Sequence, residues 1–170
     1  EGAVTTTRQS HQLPKPFHTI ATQNPLETVG TYPLGAAQKD RFLMKADMTP
    51  PPKHLEKQAV KAALKDEPVQ AAIKADQLRQ YQRYAAQTHL TDEMLELILT
   101  LTEMSRDRRE AAQGASTRCA LQYAKAAKAR AALSARQEVN REDIIALAHP
   151  IMRHRITMNT DSIGFGFTSD

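Results

Sequence analysis

The sequence predicts a mostly α-helical protein that begins with the last piece of an α/β sheet, and three observations carry this. The first forty-eight residues hold short β-branched and apolar runs punctuated by proline and glycine. Thr49-Pro50-Pro51-Pro52 then interrupts the chain, and beyond it apolar residues recur at spacings of three and four.

Residues 3–13, AVTTTRQSHQL, open on β-branched residues and pass through a polar middle before Leu13, which suits a short exposed hairpin. Phe17 to Thr22, between Pro16 and Pro25, and Phe42 to Met48 read as two strands. Both are short and mostly apolar, as inner strands of a sheet covered on both faces are. Two strands cannot make such a sheet, so further strands are expected from residues that precede Glu1. The start at Glu1, where a gene product would begin with Met, supports the expectation that the chain was cut from something longer.

The three prolines forbid helix and ladder pairing, and they mark a boundary. The expected division is 1–49 as the end of an α/β core, 50–156 as a helical domain, and 157–170 as a tail that frays or packs only locally. In the helical part, Leu55 to Leu64 is closed by Asp66-Glu67-Pro68, and Ala75 to Gln87 carries Leu78, Tyr81 and Ala85 on one face. Thr91 caps a third helix with Asp92 and Glu93 in its first turn and a stripe of Met94, Leu95, Ile98 and Leu101. Ser116 caps an alanine-rich fourth helix from Thr117 to about Arg136. Asn140 caps a fifth, with Asp143 completing a capping box and Ile144, Ile145 and Leu147 apolar, and Pro150 ends or kinks it.

Bulk properties narrow the function. Twenty-three Lys and Arg against nineteen Asp and Glu leave a net charge of +4, with both signs spread along the helices. That pattern argues against a dedicated nucleic-acid binder, whose cations cluster on one face. Cys119 is the single cysteine, so an internal disulfide and a multi-thiolate metal site are both excluded. No apolar run approaches the ~18 residues of a membrane span, and no signal segment opens the chain, so a cytoplasmic protein is expected.

Three polar residues sit at ends of elements. Asn24 follows a strand, where a side chain meets the crevice in which α/β sheets bind ligands; it would hold a water there, or else begin an Asx turn before Pro25. Arg41 offers a guanidinium that could stabilise phosphoryl charge on a neighbouring subunit, or could pair with Asp40. Arg118 lies in the first turn of the alanine-rich helix, where free amides favour anions; it is a phosphate sensor or simply an exposed arginine. His149 and His154 have no partners at metal-ligand spacing, Cys119 reads as a small buried residue, and the methionines at 44, 48, 94 and 104 read as core filler. There is no G-x-x-x-x-G-K-[ST] and no apolar strand ending in Asp-Glu, so this polypeptide alone is not expected to hydrolyse a nucleotide.

These motifs together resemble one family. ATQNPLETVGTYPLGAAQKDRF at 21–42 is similar to the segment of MoxR-type AAA+ ATPases from the fourth strand of the nucleotide domain to the start of the fifth. GASTR at 114–118 resembles that family's sensor 2 motif, and NREDIIALAHPIMRHRI at 140–156 its closing helix and RHRI signature. EGAVT and LPKPF resemble the hairpin before the sensor 1 strand. The chain departs from the pattern at Gly35, Ala36 and Lys39 beside the finger, and at His18 in the strand.

The resemblance implies an AAA+ α/β core remnant over 1–49 followed by an α-helical AAA+ lid. It makes Asn24 the sensor 1 residue, Arg41 the arginine finger acting in trans, and Arg118 sensor 2. It also implies ATP and Mg2+ in the full-length family member, with neither bound by this chain alone. The implied context is a homo-oligomeric ring, often hexameric, acting as a chaperone that activates or inserts cofactors or metals into clients, often with a von Willebrand factor A partner. Two other readings stand beside it: a non-catalytic helical interaction module without its motor half, and a nucleic-acid motor component using the hairpin that carries Arg8.

Overall fold

The computed structural model describes residues 2–7, 9–23, 34–65, 70–107 and 109–164. Asn24, Arg8 and the Asp66-Glu67-Pro68 stop signal therefore lie outside the described residues. The expected hairpin forms: β1 (Ala3–Thr5) pairs antiparallel with β2 (Ser10–Gln12), Val4 opposite His11, and both strands are exposed.

The two expected strands do not form ladders. Residues 17–22 and 42–48 carry no strand pairing. The reason is physical: a strand exists only through a hydrogen-bonded neighbouring strand, and no described segment pairs with either run in a ladder. Residues 42–48 instead dock on helices, with Leu43 packed against the helical core and the Lys45 amide donating to the Pro150 carbonyl at 2.8 Å.

Between them a short helix, α1 (Ala36–Lys39), begins where the Gly35 amide donates to Gln38 Oε1 at 3.0 Å. After the prolines come α2 (Lys53–Ala63) and α3 (Ala75–Gln87), and α2 buries none of its residues. Then follow α4 (Asp92–Met104), β3 (Ala111–Gln113), α5 (Thr117–Leu133) and α6 (Arg141–Met152). The chain ends in β4 (Thr157–Met158) and α7 (Thr160–Gly164).

The core surrounds α5, which packs against α3, α4 and α6. Its buried face holds Cys119, Ala120, Tyr123, Ala126, Ala127 and Ala131. Small side chains at helical spacing let neighbours approach closely, and Tyr123 satisfies its hydroxyl on the Ile144 carbonyl. From α4 come Ile98 and Thr102, flanked by Met94, Leu97 and Leu101, whereas the expected Leu95 faces out. Ile144, Leu147, Ile151 and Met152 come from α6, and the expected Ile145 is exposed.

The caps fall where the sequence places them. Thr91 Oγ1 accepts from the Met94 amide, Ser116 Oγ from Cys119, and Asn140 with Asp143 forms a reciprocal box. Asp143 is buried; desolvation opposes its charge, but bidentate bonds from Arg136 at 2.6 and 2.7 Å, the Asn140 amide and Arg130 outweigh it and hold its pKa below the usual range.

Further expectations need correction. Helix α5 stops at Leu133, short of Arg136, because Ala135 turns left-handed at φ 54° and Arg136 donates back to the Ala131 carbonyl in a Schellman close. Of the two effects expected of Pro150, ending α6 is not the one seen, since the helix continues to Met152. Residues 157–164 are not a loosely packed tail: β4 pairs with β3, satisfying backbone groups some forty residues back, and α7 follows. Of the four methionines read as filler, only Met94 packs on the core; Met48 is 93% and Met104 68% exposed, and Met44 also faces out.

Candidate functional site

The segment after α1, residues 40–47, meets the helical domain through charged groups. Arg155 lies just past α6 with its side chain 1% exposed. Its Nε donates to Asp40 Oδ1 at 3.1 Å, and its terminal nitrogens reach the carbonyls of Asp40, Phe42, Leu43 and Ile151 and the Gln122 amide oxygen. All five guanidinium donors are thereby engaged, a pattern that a lysine could not reproduce. Arg153 adds an ion pair to Asp47, and His154 Nε2 sits 3.1 Å from the Phe42 carbonyl.

Asp40 is the hub on the other side. Its carboxylate accepts from Ser116 Oγ at 2.9 and 3.0 Å and from Arg118 at 3.1 Å, besides Arg155. The Ser116 hydroxyl serves two groups at once: its lone pair caps the Cys119 amide and its proton points to Asp40. Cys119 itself is fully buried, and burial pushes its thiol up, which agrees with a packing role.

Ser105 and Arg106, just past α4, hold the start of α5 in place. Ser105 Oγ accepts from the Ala115 amide at 3.0 Å, and Arg106 Nε donates to the Ala115 carbonyl at 2.7 Å. Gly114 is required there, since a Cβ would lie 2.2 Å from the Ser105 carbonyl oxygen.

Of the predicted site residues, two are described. Arg118 has a side chain 53% exposed and pairs with Asp40. Arg41 is exposed; among the described residues its guanidinium has no partner, and the Asp40 pairing considered from sequence is absent because Asp40 serves Ser116, Arg118 and Arg155. The Arg41 backbone is nevertheless held, its carbonyl facing Gln122 Nε2 at 3.4 Å. Asp40, Gln122 and Arg155 were missed as site residues. The signal available was the pair of arginines that follows the apolar end of α6 in HPIMRHRI, and an aspartate one residue ahead of the apolar Phe42-Leu43-Met44; nothing in the letters pairs them.

The sequence pattern described as "ATPase family associated with various cellular activities (AAA)" matches residues 1–44, and that of the AAA lid domain matches residues 103–164. The YeaC protein of Bacillus subtilis, uncharacterized, is 33% identical over 95% of this chain and 52% of its own length. The crystal structure of a candidate ATPase from Cytophaga hutchinsonii matches with a TM-score of 0.89 at 29% identity, over 99% of this chain and 55% of that one. Chaperone MoxR1 of Mycobacterium tuberculosis is 27% identical over 89% of this chain and 43% of its own length. Together these matches support a fragment of a MoxR-type AAA+ ATPase.

The chain spans about half the length of the curated relatives it matches. ATP and Mg2+ are the ligands that AAA+ family membership implies for full-length members. The residues of this MoxR-type chain fit one part of that set: Arg118 presents a half-exposed guanidinium beside the first-turn amides of α5. Among the described residues no group of three His, Cys, Asp or Glu could hold a metal ion. Likewise, no helix among them is long and apolar enough to cross a membrane.

Proposed function

We propose that this chain is the C-terminal part of a MoxR-type ATPase whose P-loop half lies elsewhere in the same protein, and that rings of such subunits act as a chaperone. In this reading ATP hydrolysis moves the helical lid, and the work is done on client proteins that receive a cofactor or metal, with a von Willebrand factor A domain protein as partner. ATP with Mg2+ supplies the phosphoryl chemistry when bound. This chain's residues position and sense: the Asn24 amide orients the attacking water, Arg118 reads the phosphate state from the lid, and Arg41 reaches the nucleotide of the adjacent subunit.

The observation that carries the reading is the state of Arg41. Its backbone is fixed by Gln122 and by Arg155 on the flanking carbonyls, while its guanidinium is exposed and unpaired among the described residues. A held backbone with a free cation is what an arginine finger requires, because orientation is set before the phosphate arrives.

The test is steady-state ATP turnover of the full-length protein beside the 170-residue chain, together with Asn24→Ala. The full-length protein should turn over, the chain alone should be silent, and Asn24→Ala should slow hydrolysis while ATP binding stays. If the full-length protein binds clients but never hydrolyses ATP, the interaction-module reading takes its place.

A further inference from the structure

Arg41 and Arg118, which the proposed function assigns to two different nucleotides, are joined through one carboxylate. Asp40 precedes Arg41 in the chain and accepts from Arg118 at 3.1 Å. We propose that Asp40 is a positioning residue that couples them, so that the phosphate state sensed by Arg118 in one subunit sets how that subunit offers Arg41 to its neighbour. The inference rests on the finger and sensor roles given above and adds a regulatory link between them.

Three observations support the coupling. First, the partners of Asp40 differ in how readily they can leave. Arg155 is 1% exposed and engaged by five acceptors besides the carboxylate, and Ser116 is fixed as a helix cap, whereas Arg118 is 53% exposed and pairs through its guanidinium with Asp40. A phosphate near α5 therefore competes for Arg118 alone, and Asp40 keeps two partners when Arg118 departs, so neither arrangement strands a buried charge.

Second, α5 holds Arg41 by another route. Gln122, one turn after Arg118, donates to the Arg41 carbonyl at 3.4 Å and accepts from Arg155. A shift at the start of α5 reaches both the residue before Arg41 and the Arg41 backbone itself. Third, the start of α5 is tied to the end of α4 through the Ser105 and Arg106 bonds to Ala115. The element with two arrangements is thus small and contiguous: Arg118 on Asp40, or Arg118 on phosphate.

The experiment uses mixed rings of the full-length protein. Subunits disabled for hydrolysis in their P-loop half carry a second substitution and are mixed with wild-type subunits, so that turnover reports only the wild-type neighbours. Arg118→Gln in the disabled subunit should lower neighbour kcat about 5-fold or more with KM for ATP unchanged. Asp40→Asn should do the same, the double variant should be no slower than either single one, and Asp40→Glu should restore part of the rate.

Arg41→Ala in the disabled subunit calibrates the assay. If it leaves neighbour turnover intact, the finger role falls and the coupling with it. If Arg41→Ala is effective but Arg118→Gln is silent, or if the Arg118 and Asp40 effects multiply independently, the coupling alone is overturned. Arg118→Gln touches only a half-exposed side chain, so it decides the matter even if Asp40→Asn fails to fold.

Discussion

Asp40 and Arg155 stand 115 positions apart and meet through a 3.1 Å hydrogen bond from Nε to Oδ1. Around that bond the two motifs that bracket the chain, Asp40-Arg41-Phe42 and Arg153-His154-Arg155-Ile156, become halves of one clamp. Its effect is to fix the segment that carries Arg41 against the helical domain that carries Arg118.

Arg155→Ala should be among the most damaging single changes in this chain. It leaves Asp40 short of a charged partner and frees several carbonyls at once, at a cost of about 3–5 kcal/mol. Hydrogen exchange at the Lys45 amide, which donates to Pro150 at 2.8 Å, should accelerate well beyond that of α5. Equal acceleration everywhere would mean that Arg155 supports the whole fold and not this clamp.

Gly114→Ala places a methyl group 2.2 Å from the Ser105 carbonyl oxygen and 2.7 Å from the Arg106 Cα, both backbone atoms that cannot swing away. The loop must shift, at about 1–3 kcal/mol or more, and the Ser116 cap shifts with it. A drop in the urea midpoint, with Arg118 displaced from Asp40 in a crystal structure, is the expected result; an unchanged midpoint would contradict the close approach.

Ala135→Gly should stabilise. Ala135 holds φ 54° at the end of α5, where a Cβ is strained and glycine is not. The gain is about 1 kcal/mol, less the entropy that glycine adds to the unfolded chain, and it should raise the thermal midpoint by a few degrees.

Acid should weaken the clamp through His154. Phe42 O can only accept, so Nε2 carries the ring proton in that 3.1 Å contact, and the buried Nδ1 has no partner. Burial depresses the His154 pKa, with nearby Arg155 and Lys45 adding to the effect and the Phe42 carbonyl and Asp40 opposing it. Below about pH 6.5 the unfolded chain binds a proton that the folded one resists, so stability present above that value is lost as pH falls through the folded pKa. The denaturant midpoint should be lower at pH 5.5 than at 7.5, and His154→Gln, which keeps a donor for Phe42, should shrink that difference.

Local signals made much of the helical domain legible. Thr91, Ser116 and Asn140 each announce a helix start by side-chain chemistry, and each caps as read. The end of α5 was not legible, because its Schellman turn uses Ala135 where glycine is the usual sign. The strands at 17–22 and 42–48 failed for a different reason: apolar runs state a preference for a ladder, but the partner is a property of other residues. The site was readable only in its ends. Arg41 and Arg118 could be picked out by position, but the Asp40 link between them depends on a contact across seventy-eight positions, which no periodicity encodes.

The most direct test of the account is the effect of Arg41→Ala on the full-length protein, with kcat and ATP affinity measured separately. A guanidinium acting on a neighbour's phosphoryl group predicts that kcat falls about 10³-fold or more while the affinity for ATP is kept. Turnover close to wild type would contradict the account, leaving Arg41 an exposed arginine on a well-held turn.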